Sequence, residues 1–382
     1  MTPGAPLDAA HASPRATGSA DPRATEAFRA LLDDVRRRVD ADLEAWLRPR
    51  VAKAKAVSAE AGAAAEAVQG LTLRGGKRMR AALVHAGFVA CGSAAGATHD
   101  PEAALPTMPA MLAVELLQTY LLIHDDWMDD DDVRRGGPSV HVALGERLGG
   151  KRLGDAAAVL AGDLACGYAQ DALLESKLPA DRVLGAARAF ARIQEDVVTG
   201  QLAEMASAGA AGRSAAPSVE TIHELKTASY TVTGPLALGA HLAGASESRI
   251  AELARYGRPL GIAFQLRDDL LGTFGDPSAT GKPVGNDIRQ GKRTALVVEL
   301  RGDAKAEALL ARVLGRDDAS DDDVAEVVRA MESTGAKARV EARVAELLGE
   351  ARAALEAMGL NDDAPASLWL SGAVRALGER AS

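Results

Sequence analysis

Aromatic side chains are scarce in this chain: Phe, Tyr and Trp together make up 3% of its 382 residues. A formal net charge of −9 leaves it without a basic face as well. A nucleic-acid binder needs basic residues interleaved with stacking rings, so that class is disfavoured. Cysteine is nearly absent. Cys91 and Cys166 each stand among apolar neighbours, which fits reduced, buried thiols better than a disulfide or a metal site. No long uncharged apolar run exists either. The most apolar stretch, Pro106 to Ile123, contains Glu115 and Gln118 and runs into an acidic cluster, so it reads as a buried helix and no integral membrane segment is expected. The N-terminus lacks a charged start followed by an apolar core, so no signal peptide is read and a cytoplasmic location is expected.

What is abundant is Ala, Leu, Val, Glu and Arg, within a chain that is 47% hydrophobic. Apart from Val these are strong helix formers, and they argue for an all-α protein, a helix bundle around a cavity. Residues 1–24, rich in Ala, Pro, Gly, Ser and Thr, read as a flexible tail, and 25–382 as one domain, because no linker-like segment interrupts it. Phe28, Leu31, Leu32, Val35, Val39, Leu43 and Leu47 recur at helical spacing and predict a surface helix over 26–47. Leu71 to Gly76 breaks the pattern, and a new helix is expected near Lys77. After a loop at 92–106 a long apolar helix is predicted over 108–129, with others over 154–175, 182–206, 219–242, 247–273, 303–314, 321–333 and 335–358. Residues 207–217 read as a loop of small residues, and 272–292 as a loop rich in Gly, Lys and Asp.

Two acidic clusters carry the chemistry. One runs from His124 to Gly136 (HDDWMDDDDVRRG), the other from Phe264 to Gly272 (FQLRDDLLG). Asp125 and Asp129 are four apart and share a helical face, with Asp126 beside them and Leu121 and Gln118 further back. Carboxylates crowded at a helix C-terminus oppose the macrodipole, an arrangement that a bound cation explains. Mg²⁺ favours one or two carboxylates together with substrate phosphate oxygens, and the adjacent arginines point to a phosphorylated ligand. Asp130, Asp131 and Asp132 read as solvent-facing, and His124 as a packing residue.

These clusters, with Gly75-Gly76-Lys77-Arg78-Met79-Arg80, Gly162-Asp163, Gly200-Gln201, Lys226-Thr227 and Gly281-Lys282 through Gly291-Lys292 in the same order, resemble the trans-isoprenyl diphosphate synthases, the polyprenyl synthetase family. The resemblance covers roughly residues 25 to 380. It implies an isoprenoid-synthase-like fold, usually a homodimer, that condenses isopentenyl diphosphate head-to-tail with an allylic diphosphate. The metal ligands it implies are Asp125, Asp126 and Asp129 on one wall and Asp268 and Asp269 on the other, with three Mg²⁺ ions per site. Arg134, Lys226 and Lys282 would neutralise the departing diphosphate, while Thr227 and Gln265 present dipoles to the carbocation. Lys77, Arg80 and Arg135, with Gln118, would hold isopentenyl diphosphate without metal, aided by a helix N-terminus. The loop through Lys282 and Lys292 would act as a lid that excludes water.

One position departs from the family pattern: Gly272 stands where a third aspartate often occurs, with Asp276 and Asp287 as weak substitutes. Tyr120, five before Asp125, is bulky and with Leu121 would set the floor of the chain-elongation cavity. By resemblance this suggests a short product, geranylgeranyl first and farnesyl second, with a longer-chain product as the alternative. Two rivals remain. A class I terpene cyclase would have no use for the second diphosphate site and would want an aromatic-rich cavity. A non-catalytic synthase subunit would be expected to have lost acidic or basic site residues.

Overall fold

The computed structural model describes residues 21–92, 104–208, 217–275, 285–316 and 318–378. The all-α expectation holds. Helix α1 (Pro22–Val57) opens inside the segment read as tail, because the Asp21 side chain caps the Arg23 N–H and Pro22 suits the first helical turn. It buries Phe28, Leu31, Val35, Val39, Leu43 and Leu47 of the predicted stripe, leaves Leu32 half-buried, and runs past the expected end at 47 to bury Val51 as well. Helices α2 (Ala59–Leu73) and α3 (Met79–Cys91) follow. Between them Gly75 and Gly76 have positive φ, as does Arg78, so α3 starts two residues later than the sequence suggests.

Helix α4 (Met108–Met128) is the axis of the molecule. It packs between α3 and α6 (Lys151–Leu174), and its buried face runs from Ala110 through Leu116 and Leu117 to Ile123. Beyond it a two-stranded antiparallel ribbon pairs Val133–Arg134 with Gly137–Pro138. Its turn has left-handed Arg135 (φ 52°) and Gly136 (φ 72°), a geometry that suits the twist of a tight hairpin. Ribbon and α5 (Val140–Leu148) return the chain to α6, which leads to α7 (Ala180–Ala208).

The segment expected as one helix over 219–242 is three pieces: α8 (Val219–His223), a π-helix (Glu224–Thr233) and α9 (Gly234–Ala243). An apolar period cannot distinguish the wider π turn from an α turn, so the sequence gave no warning of it. Helix α10 (Glu247–Phe274) packs on the π-helix and on α15 (Ala336–Ala357). The loop expected over 272–292 contains a short helix, α11 (Asn286–Arg289), and α12 (Ala295–Glu299) follows it. Helices α13 (Ala304–Val313), α14 (Asp321–Ser333) and α16 (Pro365–Gly378) complete the fold. Tyr256 locks α10 to α16, its hydroxyl donating to the Leu370 carbonyl over 2.7 Å.

Candidate active site

The carboxyl end of α4 presents its three aspartates to three different cations. Asp125 Oδ1 lies 3.5 Å from Lys226 Nζ, which also pairs with Glu204. Asp129 Oδ2 lies 2.9 Å from Lys292 Nζ. Asp126 is fully buried; its Oδ1 accepts from Arg134 Nε at 2.7 Å, and its Oδ2 has no hydrogen-bond partner. Burial pushes the Asp126 carboxyl above the usual range although Arg134 opposes the shift. Asp130 meets Lys151 at the surface, and Asp132 is exposed. Asp131, expected in solvent, is instead mostly covered and lies 3.3 Å from Arg134, because the hairpin folds that arginine back over it. His124 packs edge-on against Tyr120, with ring centres 4.9 Å apart, and its Nε2 lies 3.1 Å from the Val159 carbonyl.

The facing wall is α10. Thr227 Oγ1 donates to Gln265 Oε1 at 2.8 Å, and Gln265 Nε2 donates to Asp269 Oδ1 at 2.9 Å. Asp269 is 6% exposed, and its pKa is pushed up to about 7 by burial, with Asp287 and Glu204 adding repulsion. Its Oδ2 has no hydrogen bond; the nearest cation candidate, His223 Nε2 at 3.4 Å, is held neutral because burial pushes its pKa down to about 4. Asp268 is half-buried one residue before. A Cβ added to Gly272 would stand 3.3 Å from Asp287 Oδ2, so a carboxylate from α11 lies against the gap where a third aspartate was sought. Asp276 and Lys282 lie outside the described residues.

Lys292 ties the walls together. Its backbone N–H donates to the Asp287 carbonyl at 2.9 Å while its side chain reaches Asp129 on α4. Burial alone would lower its pKa, but Asp129 and Asp287 outweigh that and hold it above the ordinary lysine value. Lys226 is half-buried, and Asp125 and Glu204 raise it in the same way. Both lysines are therefore firmly protonated. Gly200 on α7 makes room for Lys226: a Cβ there would collide with the Lys226 backbone N and stand 2.8 Å from its Cα.

A second, cationic pocket lies beside these walls. Arg80 Nη1 donates to Gln118 Oε1, its Nη2 donates to Thr231 Oγ1 at 2.8 Å, and its guanidinium sits 4.3 Å over the Tyr230 ring. Arg135 Nη1 donates to the Gly75 carbonyl at 2.7 Å, and Lys77 is exposed next to the same turn. Burial holds Arg135 below its ordinary pKa, and Arg78, Arg80 and Arg134 add to the shift. Arg78 is already matched by Asp40 (2.7 Å) and Glu115 (2.9 Å), which leaves Arg80 and Arg135 short of negative charge. The hairpin turn sends neighbouring Arg134 and Arg135 apart, one to Asp126 and the other to this pocket. Arg134 is thus committed to carboxylates.

An apolar cavity of about 220 Å³ completes the site. Asp125 and Lys226 stand among its lining, with Tyr120, Leu121, Val197 and Leu202. Glu204, His223, Tyr230 and Thr231 were not singled out from the sequence. Only Glu204 left a signal, four residues after Gly200 and hence on the helix face that meets Lys226.

The donor set fits a divalent cation that shares its shell with a ligand. Two buried carboxylate oxygens, Asp126 Oδ2 and Asp269 Oδ2, lack any donor. Among the described residues no three His, Cys, Asp or Glu side chains close around one ion. Mg²⁺ held by one or two carboxylates and phosphate oxygens needs no such cage.

Comparison with known proteins adds the following. The Polyprenyl synthetase family model matches residues 63–331. The chain is 38% identical over 275 residues to (2E,6E)-farnesyl diphosphate synthase of Mycobacterium tuberculosis, covering 70% of each. It is 37% identical over 230 residues to geranylgeranyl diphosphate synthase of the same organism, covering 58% of each. Its structure is similar, with a TM-score of 0.81 and 34% identity, to geranylgeranyl pyrophosphate synthase of Corynebacterium glutamicum complexed with isoprenyl diphosphate and magnesium, over 91% of this chain and 99% of that one.

Proposed function

Since the chain belongs to the polyprenyl synthetase family and is a trans-prenyltransferase, we propose that it condenses isopentenyl diphosphate with an allylic diphosphate to give a short all-trans prenyl diphosphate. The observation that carries this reading is the junction of three environments: two acidic walls tied by Lys292, a cationic pocket around Arg80 and Arg135, and an apolar cavity reaching Asp125 and Lys226. A condensation of two diphosphates needs all three. A terpene cyclase would need no second cationic pocket.

Asp125, Asp126, Asp129, Asp268 and Asp269 would hold three Mg²⁺ ions, which when bound supply Lewis-acid charge to the leaving diphosphate. The residues of the chain do the rest. Lys226 and Lys292 add half-buried positive charge where the allylic carbon–oxygen bond breaks. Oxygen dipoles of Thr227 and Gln265 face the resulting carbocation, and the apolar lining offers no competing nucleophile. Arg80, Arg135, Lys77 and Gln118 orient isopentenyl diphosphate so that its double bond meets the cation. The proton lost in the last step goes to an oxygen of the released pyrophosphate.

Tyr120, at the cavity beside Leu121, supports a short product, with geranylgeranyl diphosphate favoured over farnesyl diphosphate. Tyr120→Ala should lengthen the product; an unchanged chain-length profile on chromatography would remove Tyr120 as the floor. The activity itself is tested by incubating the protein with isopentenyl diphosphate, Mg²⁺ and dimethylallyl, geranyl or farnesyl diphosphate in turn. No elongation with any primer would overturn the reading. A homodimer is supported by exposed apolar residues on α6 and α7: Leu153, Leu160 and Leu174 on the first, Leu184, Val198 and Leu202 on the second. Among the described residues no helix is long and apolar enough to cross a membrane.

A further inference from the structure

Some hydroxyls on the helices of this protein bond to the carbonyl one turn back: Thr72 to Val68 (2.7 Å), Thr119 to Glu115 (3.1 Å) and Ser229 to Leu225. Thr231, like Thr227, does not. Its side chain is almost fully buried (2% exposed), and its hydroxyl accepts instead from Arg80 Nη2 at 2.8 Å, across from the π-helix to α3. Arg80 is thereby held at three points: Nη1 on Gln118, Nη2 on Thr231, and its face over the Tyr230 ring at 4.3 Å. Arg80 Nε is buried and has no hydrogen-bond partner, so one donor of the oriented guanidinium is left over. The i→i+5 ladder of a π-helix is what makes the reach possible. It turns residues four and five apart onto one face, so Thr231 and Tyr230 point to the same site as Lys226 and Thr227, where an α-helix would rotate Thr231 away from Lys226.

We propose that Thr231 is a positioning residue for the second substrate: it fixes the fork of Arg80 toward the diphosphate of isopentenyl diphosphate, and the π-helix links this pocket to the lysine of the allylic site. The inference rests on the reading of the Arg80 pocket given above. Planar guanidinium recognition of a diphosphate depends on orientation, so an Arg80 free to rotate should bind more weakly without changing the chemistry at the allylic carbon.

The test is steady-state kinetics with each substrate varied against the other, on wild type, Thr231→Val, Thr231→Ala and Thr231→Ser, with melting temperatures recorded for each. Loss of one hydrogen bond to a charged group predicts a rise of about tenfold in KM for isopentenyl diphosphate in the Val and Ala variants. The KM for the allylic substrate should stay within about twofold, and Thr231→Ser should restore the wild-type value. Combining Arg80→Lys with Thr231→Val should add little to Arg80→Lys alone, because both act on one contact. Parallel shifts in both KM values, failure of Ser to rescue, or additive effects in the double variant would overturn the proposal. So would a variant set in which only melting temperature changes. Wild-type protein that elongates no primer overturns the synthase reading first and this inference with it; wild-type turnover with an unchanged KM in the variants overturns this inference alone.

Discussion

Asp269 sits where ionisation costs most. Its folded pKa of about 7 lies above the ordinary aspartate value of 3.8, so between those values the folded protein holds a proton that the unfolded chain has released. The stability this group contributes is complete below about pH 4 and is lost as pH rises through about 7. His223 works in the opposite direction, since its folded pKa of about 4 lies below 6.5 and stability is lost as pH falls between those values. Asp269→Asn isolates the first effect. In chelator it should melt above wild type at pH 8, by a few kcal/mol at ~1.4 kcal/mol per pKa unit, with the gap closing toward pH 4. Calorimetry that finds the same gap at both ends would remove Asp269 as a buried, proton-holding carboxylate. The cluster of aspartates was plain in the sequence. Which of them is buried, and which cation each one meets, was not, because the partners lie on a π-helix, a hairpin and a loop that only the fold brings to them.

At the scale of elements, the π-helix and α7 set the position of Lys226 between them. Their approach depends on Gly200, where any side chain would strike the Lys226 backbone. Gly200→Ala should therefore cost roughly 1–3 kcal/mol through overpacking and lower kcat more than tenfold by displacing Lys226. Unfolding by denaturant and turnover measured on the same preparation check this; a variant with full activity would show that Lys226 does not depend on that approach. The helices α1, α4, α6, α7 and α10 were legible because their apolar residues keep a steady period over many turns. The short α5, α11 and α12 were not, since four to nine residues carry too few repeats. Helix α16 is likewise not predicted from the sequence.

Among the described residues of the whole molecule, α6 and α7 leave a stripe of apolar surface uncovered. Leu153, Leu160 and Leu174 on α6 are spaced by seven and fourteen, and Leu184 and Val198 on α7 by fourteen, so each set holds to a single helix face. A stripe of this kind on two adjacent helices supports self-association into a symmetric pair. Leu160→Glu combined with Leu202→Glu should convert the protein to a monomer in sedimentation velocity, with a melting temperature that no longer depends on concentration. A variant that sediments like wild type would move the interface elsewhere.

The helical class, the existence of most of the long helices, the two acidic motifs and the family resemblance followed from the chain alone, because each depends on residues close together in sequence. The tertiary structure alone decided that Lys292 answers Asp129, that Glu204 answers Lys226, that Asp287 stands against Gly272, and that Arg134 and Arg135 part company. Those pairings depend on how helices cross and on one left-handed turn. Separation along the chain is not the obstacle, since these contacts span from 8 residues (Arg134–Asp126) to 163 (Lys292–Asp129); each depends on which faces two elements turn toward one another.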